Sequence, residues 1–557
     1  MSGGAIIENL SNRKLFAILS ILTVAQVLFF VLGGVVSPQP SSAMDFQMTK
    51  CRDEKQDGRW FYIRPKSGAC KTVDNLESLH GGRELVFVAQ MPHMRDNVAL
   101  EYSPWFSNLL ALLTVSLDDN KDSDDVRELQ LEVRLGYRVK TDAFWHEYIN
   151  TTTTRQLDCQ IDHHNNAPDA DLKFSFSCAP LELFELGSSD FPFYLLNIRV
   201  PNCQNQTTTT GPNCNIGRIT DLHVIAIHQN GGFTAVWLGI KTLLTPVILF
   251  GVWWYWRRVQ MLARQPVLVE KAIFALGLAT LCLDVPIEWL SLLVRTPFML
   301  FVSDLRQGAF YVMLFTFWLI FTGEHLLDDR APKNRITNYT SYLAFVVIAS
   351  LCMFAFELSE RGAHLSNPFY SVWATRTGTN VAYTLIFLAW ICAVVYFVFL
   401  AYKIARVIAT IKQKRVALMQ MTNNRRLKFE GIIYRFRFLM LVTFICAALT
   451  IAGFMMELYG EGQLRWGDFE DSPMINTTSA FLTGTYGLWN IYVLLLLSMY
   501  APSHKIYRGA QPVPNTREDD SGDEDVLIMP QSSSAQDGGG TVEQSPMVTF
   551  VARQATD

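Results

Sequence analysis

Ionisable residues stand deep inside long apolar runs of this chain, notably Lys241 in the run from Phe233 to Trp256, and Asp284 and Glu288 in the run from Leu268 to Val294. A charge in such surroundings is costly unless it is paired, so each of the three marks a site by default. Read as helices, the runs put Lys241 roughly 12 Å from one end, and Glu288 and Asp284 roughly 9 and 15 Å from the same face. Lys241 can therefore pair with Glu288 or with Asp284, either to fix two helices together or as part of a proton or ion relay. Pro286, between the two acids, should kink its helix and free backbone carbonyls, which suits a cavity wall as well as a transport path. A second set of residues is aromatic. Phe310, Tyr311, Phe315 and Trp318 crowd the next apolar run, and Phe354 and Phe356 lie on the one after; such residues are ordinary packing in most bundles, and their density is also compatible with an apolar slot.

Covalent chemistry has no such foothold. The chain contains no Gly-rich phosphate loop, no nucleophile elbow and no His-Glu-x-x-His, so neither an enzyme nor a bound cofactor is expected. Asp162-His163-His164 is the nearest approach to a metal motif. Adjacent histidines in a turn, without paired ligands elsewhere, read as solvated side chains, and no metal is expected.

The elements that must position these residues follow from composition. Of 557 residues, 50% are hydrophobic and only 18% charged, the balance of a membrane protein; a net charge of -4 gives no sign of a nucleic-acid partner. Eight apolar segments are long enough to cross a bilayer: 15–36, then about 233–256, 268–294, 308–327, 342–358, 381–404, 438–458 and 480–500. The first exceeds the apolar core of a signal peptide, which favours an uncleaved anchor, with residues 1–14 ahead of it. Lys and Arg cluster in alternate loops, at Arg257, Arg258, Arg264 and Lys271, at Arg330, Lys333 and Arg335, and between Lys412 and Arg437. By the positive-inside rule both termini should be cytosolic, with residues 37–232 on the luminal side. The Trp/Tyr/Arg run 253–258 marks a membrane interface facing the cytosol.

The region 37–232 alternates apolar and polar residues in short stretches, at 84–89, 129–135, 172–176, 194–199 and 223–227, bounded by turn residues. That pattern predicts an antiparallel β-sandwich inserted between the first and second crossings, the other seven forming a receptor-like bundle over 233–500. Six of ten cysteines (Cys51, Cys70, Cys159, Cys178, Cys203, Cys214) fall here and read as three disulfides, simplest in sequence order, although spacing leaves the connectivity open. Sequons at Asn150, Asn205 and Asn476 are expected to carry sugar; those at Asn9 and Asn338 fall on the cytosolic side. Beyond 500 the chain turns polar, acidic and Gly/Ser-rich and reads as a disordered tail over 501–557. Within it Asp523-Glu524-Asp525-Val526-Leu527-Ile528 has the form of an acidic-dileucine sorting signal, with Asp523, Leu527 and Ile528 as its key positions. A G-protein-coupled receptor is disfavoured: no Asp-Arg-Tyr follows the relevant crossing, and Asn367-Pro368-Phe369-Tyr370 has the wrong spacing and side. A transporter using Lys241, Asp284, Glu288 and Glu357 is the main alternative to a receptor.

The ordered strings Ser103-Pro104-Trp105-Phe106, 193–199, His228-Gln229-Asn230-Gly231-Gly232-Phe233-Thr234, Arg306-Gln307-Gly308, Gly323-Glu324-His325, Asn367-Pro368-Phe369-Tyr370-Ser371, Tyr486-Gly487-Leu488-Trp489-Asn490 and 500–505 closely resemble the Wntless family, also called Evenness interrupted. The likeness reaches from near the start of the chain to about Tyr507. It implies a cargo receptor that binds lipid-acylated Wnt proteins, escorts them through the endoplasmic reticulum and Golgi to the cell surface, and recycles through endosomes by way of retromer and clathrin adaptors. It also implies a luminal sandwich on a receptor-like bundle with one preceding helix, in contact with membrane lipids. Two departures stand out. Phe429-Glu430-Gly431-Ile432 replaces the tyrosine-based endocytic signal common in the family, and the acidic retrieval ending of some relatives is absent; the dileucine-like signal is the expected substitute.

Overall fold

The computed structural model describes residues 12–52, 85–93, 100–119, 127–161, 174–201, 218–262, 264–324, 335–417, 440–450 and 473–503, with a few isolated positions besides. Helix α1 (Asn12–Val31) continues into a wider π-helical turn, Leu32–Val36, before the chain enters a run of strands. These are β1 (Ser41–Gln47), β2 (Thr49–Arg52), β3 (Leu85–Met91), β4 (Leu109–Asp119), β5 (Arg127–Arg138), β6 (His146–Leu157), β7 (Cys159–Ile161), β8 (Phe174–Cys178), β9 (Leu181–Leu186), β10 (Phe193–Arg199) and β11 (Arg218–Gln229). They form two antiparallel sheets: a six-stranded one ordered β1-β11-β4-β8-β7, with β9 also on β4, and a five-stranded one ordered β2-β3-β10-β5-β6. Side chains pointing inward from both sheets, among them Phe87, Val115, Leu131, Val133, Leu196 and Val224, make one buried core, as a sandwich requires. Central β10 is covered on both faces, with Leu195 packing outward against Cys51, Val86 and Val88.

Cys159 and Cys178 form a disulfide between neighbouring β7 and β8, and Cys51 is disulfide-bonded to a partner outside the described residues. Cys70, Cys203, Cys214, Asn205, Asp523, Leu527 and Ile528 also lie outside them, as does Asp162-His163-His164. Asn150 is exposed on β6, an edge strand, and Asn476 falls in the first turn of the last helix.

Insertion of this domain between two helices demands that its chain come back to where it left. Ser41 of β1 pairs with Gln229 of β11, and Asn230 N–H donates to the Pro40 carbonyl at 2.9 Å. Asn230 then caps helix α2 (Gly231–Gln260), its side chain accepting from Gly232 N at 3.0 Å. A Cβ on Gly232 would stand 2.9 Å from Pro38, so the glycine allows the incoming and outgoing chains to touch.

Beyond α2 come α3 (Leu268–Asp284), the short α4 (Trp289–Leu293), α5 (Met299–Glu324), α6 (Thr340–His364), α7 (Arg376–Ala417), α8 (Met440–Thr450) and α9 (Pro473–Met499). Among the described residues six helices are long and apolar enough to cross a membrane: those at Arg13–Val36, Gly231–Gln260, Met299–Glu324, Thr340–His364, Arg376–Val407 and Thr478–Met499. Of the two other expected crossings, the one over 268–294 holds a shorter helix, and of the one over 438–458 chiefly Met440–Thr450 falls among the described residues. The continuous helix expected over 268–294 is a correction: α3 ends at Asp284, because Pro286 cannot carry the helical hydrogen bonds onward, and the chain restarts as α4. The helix expected from Gly308 starts nine residues earlier, at Met299, and takes Asp304 and Arg306 inside it. Large apolar side chains point outward along the bundle, including Leu28, Phe250, Trp253, Phe387, Trp390 and Phe444. Such a surface is stable against lipid and not against water, and the chain is a multi-pass membrane protein.

Candidate functional site

Two groups of side chains occupy the bundle. The first is polar. Lys241, buried on α2, places Nζ 2.5 Å from Glu288 Oε1, and Arg306 of α5 reaches the same oxygen at 3.4 Å. The break after α3 supplies the rest of Arg306's partners: its guanidinium donates to the carbonyls of Cys282 and Leu283, each at 2.7 Å, and to that of Val285. Those carbonyls are the ones that Pro286 and the end of α3 leave without helical donors, so a planar cation with several donors fits where an ammonium would satisfy fewer of them. Asp284 is held separately: Tyr486 donates to its Oδ1 at 2.5 Å and Asn490 Nδ2 at 3.3 Å, both from α9. Thr245 of α2 donates to the Asp284 carbonyl at 2.9 Å. Lys241 thus sits on Glu288, Asp284 belongs to a different helix pair, and α2, α3, α5 and α9 are tied at one level of the bundle. Each carboxylate is engaged by fixed donors through one of its oxygens, the arrangement of a clamp. Arg306 is the member that sequence reading missed. Its signal was an arginine just ahead of an apolar run, hidden because the helix was started at Gly308.

The second group is aromatic. Phe310 lies 5.1 Å from Trp489, and Tyr311 5.4 Å from the same ring. Phe315 packs on Trp318 at 5.6 Å and on Tyr396 and Phe397 of α7 at 5.4 and 5.7 Å. Polar tips are satisfied within the cluster: Trp318 donates to Tyr492, Trp489 donates to Thr450 of α8, and Tyr396 donates to the Phe315 carbonyl. Phe310 and Trp318 are fully buried, whereas Tyr311 and Phe315 keep part of their rings accessible. Phe354 and Phe356 do not join them. Phe354 is 41% exposed on the outer face of α6, and Phe356 packs near Trp373, because that stretch of α6 turns them away from α5 and α9. Of the four α5 aromatics, Phe310 and Trp318 are therefore core packing, and Tyr311 and Phe315 are the two that present apolar surface. Among the described residues no group of three His, Cys, Asp or Glu could hold a metal.

A third feature joins the sandwich to the bundle. Phe369, from the loop between α6 and α7, is buried in the sandwich core against Phe184 at 5.2 Å. Arg155 of β6 donates to the Phe369 carbonyl at 2.8 Å and to those of Glu182 and Leu183, and Glu185 N–H donates to the Pro368 carbonyl at 3.0 Å. Asn367-Pro368-Phe369-Tyr370 is thus a plug that seats a bundle loop in the sandwich.

This architecture, sandwich then bundle, corresponds segment by segment to two family models. The one described as the GOLD domain of Wntless matches residues 49–229, and the one described as the Wntless-like transmembrane domain matches residues 230–504. The chain belongs to the Wntless family. It is 49% identical to the protein wntless homolog of Caenorhabditis elegans over all of both chains. Against the wntless proteins of Drosophila sechellia and Drosophila grimshawi the identity is 45% and 43%, over 90% of each chain.

Proposed function

We propose that the protein is a membrane cargo receptor that binds lipid-acylated Wnt proteins, escorts them through the secretory pathway to the cell surface, and recycles through endosomes. The observation that carries this reading is the aromatic wall of α5, partly accessible at Tyr311 and Phe315, in a chain related to wntless proteins over both of its domains. An acyl chain of about 14 buried CH₂/CH units costs on the order of 11 kcal/mol to expose to water, at ~0.8 kcal/mol each. A secreted protein carrying one needs an escort, and a bundle with an apolar wall offers the chain a site while the sandwich holds the polypeptide. Release requires an acceptor with an equally apolar site. Recycling is assigned to the cytosolic tail, with Asp523, Leu527 and Ile528 engaging clathrin adaptors and retromer returning the empty receptor. The polar clamp favours this reading over a transporter, since Lys241 and Arg306 share Glu288 while Asp284 is held by α9.

The test is Wnt release from cells that lack this protein. Restoring the wild-type chain should restore release, and restoring the double variant Tyr311→Asp, Phe315→Asp should not, at equal surface expression. Full rescue by the double variant removes the aromatic wall from the mechanism.

A further inference from the structure

The junction between sandwich and bundle carries a histidine whose surroundings settle its charge. His364 ends α6, with its side chain almost fully buried. Its Nδ1 lies 3.3 Å from Glu185 Oε2 of β9, and its Nε2 lies 2.8 Å from the Tyr370 carbonyl. Both neighbours only accept hydrogen bonds, and a neutral imidazole has one N–H to give; the doubly protonated ring alone satisfies both. The end of a helix adds to this, since its free carbonyls favour a cation.

The other charged groups here are mostly acids. Arg361, one turn back on α6, faces Glu185 at 3.0 Å, Asp304 of α5 at 3.0 Å and Glu357 at 3.1 Å. Glu360 accepts from Val372 N–H at 2.8 Å, and Glu182 lies on the same strand as Glu185. Tyr148 of β6 faces the junction across a cleft lined also by Gly187, Ser188, Pro297, Leu300 and Phe301. Arg155 is committed to backbone carbonyls beside it. Five carboxylates, Glu182, Glu185, Asp304, Glu357 and Glu360, share two arginines, Arg361 and Arg155, and an imidazolium makes up part of the remaining deficit of positive charge.

We propose that this junction is a proton-responsive latch, in which doubly protonated His364 holds Glu185 of the sandwich to the Tyr370 carbonyl of the bundle loop, and loss of one proton loosens that wall of the cleft. The sign follows from the contacts. Stabilisation by the charged ring is fully present at acidic pH and is lost as pH rises through the histidine's titration. The Phe369 plug and Arg155 do not titrate in this range and hold the two parts together at every pH, so the latch tightens the junction without creating it. A receptor moving between neutral and acidic compartments carries a tighter cleft in the acidic one; that consequence rests on the trafficking role proposed above, whereas the latch does not.

The test uses the full chain in lipid nanodiscs, with hydrogen–deuterium exchange of residues 181–186 and 366–371 measured at about pH 7.5 and about pH 5.5, corrected for intrinsic exchange. Wild type should be several-fold more protected at the lower pH in both segments. His364→Gln should show the weaker protection at both pH values. Glu185→Gln, which keeps an acceptor for Arg361, should lose the same pH dependence and serves if the first variant does not fold. Equal protection of wild type at both pH values, or persistence of the difference in both variants, overturns the latch. Cargo binding is not part of the readout, so failure here leaves the receptor reading untouched.

Discussion

At Glu288 one carboxylate oxygen meets two cations that arrive on different helices, Lys241 from α2 and Arg306 from α5. Removing one partner of a buried charge group strands the others, which costs about 3–5 kcal/mol, whereas a neutral isostere keeps some of the hydrogen bonds. Glu288→Ala should therefore lower the melting temperature of the purified protein far more than Glu288→Gln; equal and small effects from both would mean that the clamp contributes little. His228 offers a pH effect at the same scale. Its ring stands edge-on to Tyr102 at 5.6 Å and to Phe106 at 4.8 Å, and burial pushes its pKa below the usual imidazole value. The folded state thus keeps it neutral while the unfolded chain takes up the proton first. Its contribution to stability is full above about pH 6.5 and is lost as pH falls towards the folded-state pKa, the opposite sign to His364. His228→Phe should give a protein whose melting temperature drops less than wild type between about pH 7 and pH 5, and an unchanged drop would place the acid sensitivity elsewhere. Lys241, Asp284 and Glu288 were legible because charge inside an apolar run is conspicuous, whereas Arg306, ahead of the run, was not. Which acid Lys241 takes was not legible, since both lie within reach along a straight helix and only the break at Pro286 separates them.

Helix α1 joins the rest of the bundle through α9, and glycines set the distance. Gln26 donates to the Gly484 carbonyl at 2.9 Å, and Thr483 donates to the Phe29 carbonyl at 3.2 Å. A Cβ on Gly484 would meet Phe30 at 2.4 Å and one on Gly487 would meet Phe29 at 2.3 Å, so the two backbones approach as closely as only small residues permit. Gly487→Leu should push α1 off α9. Disulfide formation in a Phe30→Cys, Phe481→Cys pair, whose parent rings lie 6.2 Å apart, reads this directly. It should be lost with Gly487→Leu and kept with Gly239→Leu, a position with nothing within 4 Å; retention in both would show that α1 is held by other means. Elements with a clear period were legible, such as β5, β10 and β11. Strand β4 was passed over because its first half, LLALL, is a continuous apolar run of a central strand, although its second half, Leu113-Thr114-Val115-Ser116-Leu117-Asp118, does alternate. Strand β6 was hidden for the opposite reason: as an edge strand rich in threonine it exposes most of its outer half.

For the whole molecule, the contacts that join the two bodies among the described residues include the β11–α2 continuation capped by Asn230, the Trp105–Trp289 contact at 6.0 Å, the Phe369 plug, and Glu185 with Arg361 and His364. The order of sandwich and bundle was readable from hydropathy alone, since it depends on runs of residues. The plug was not, because the contact between Phe369 and Phe184 spans parts of the chain that no local pattern relates. Of the aromatic candidates, those on α5 converge and those on α6 do not, a difference set by how each helix is rotated. On the proposed function, bundle and sandwich together carry a Wnt protein by its lipid. The most direct measurement is co-purification of a Wnt with this protein from cells, comparing the normal Wnt with a variant whose acylated serine is replaced by alanine. The receptor reading predicts capture of the acylated form and loss of the unacylated one; equal capture of both, or of neither, contradicts it.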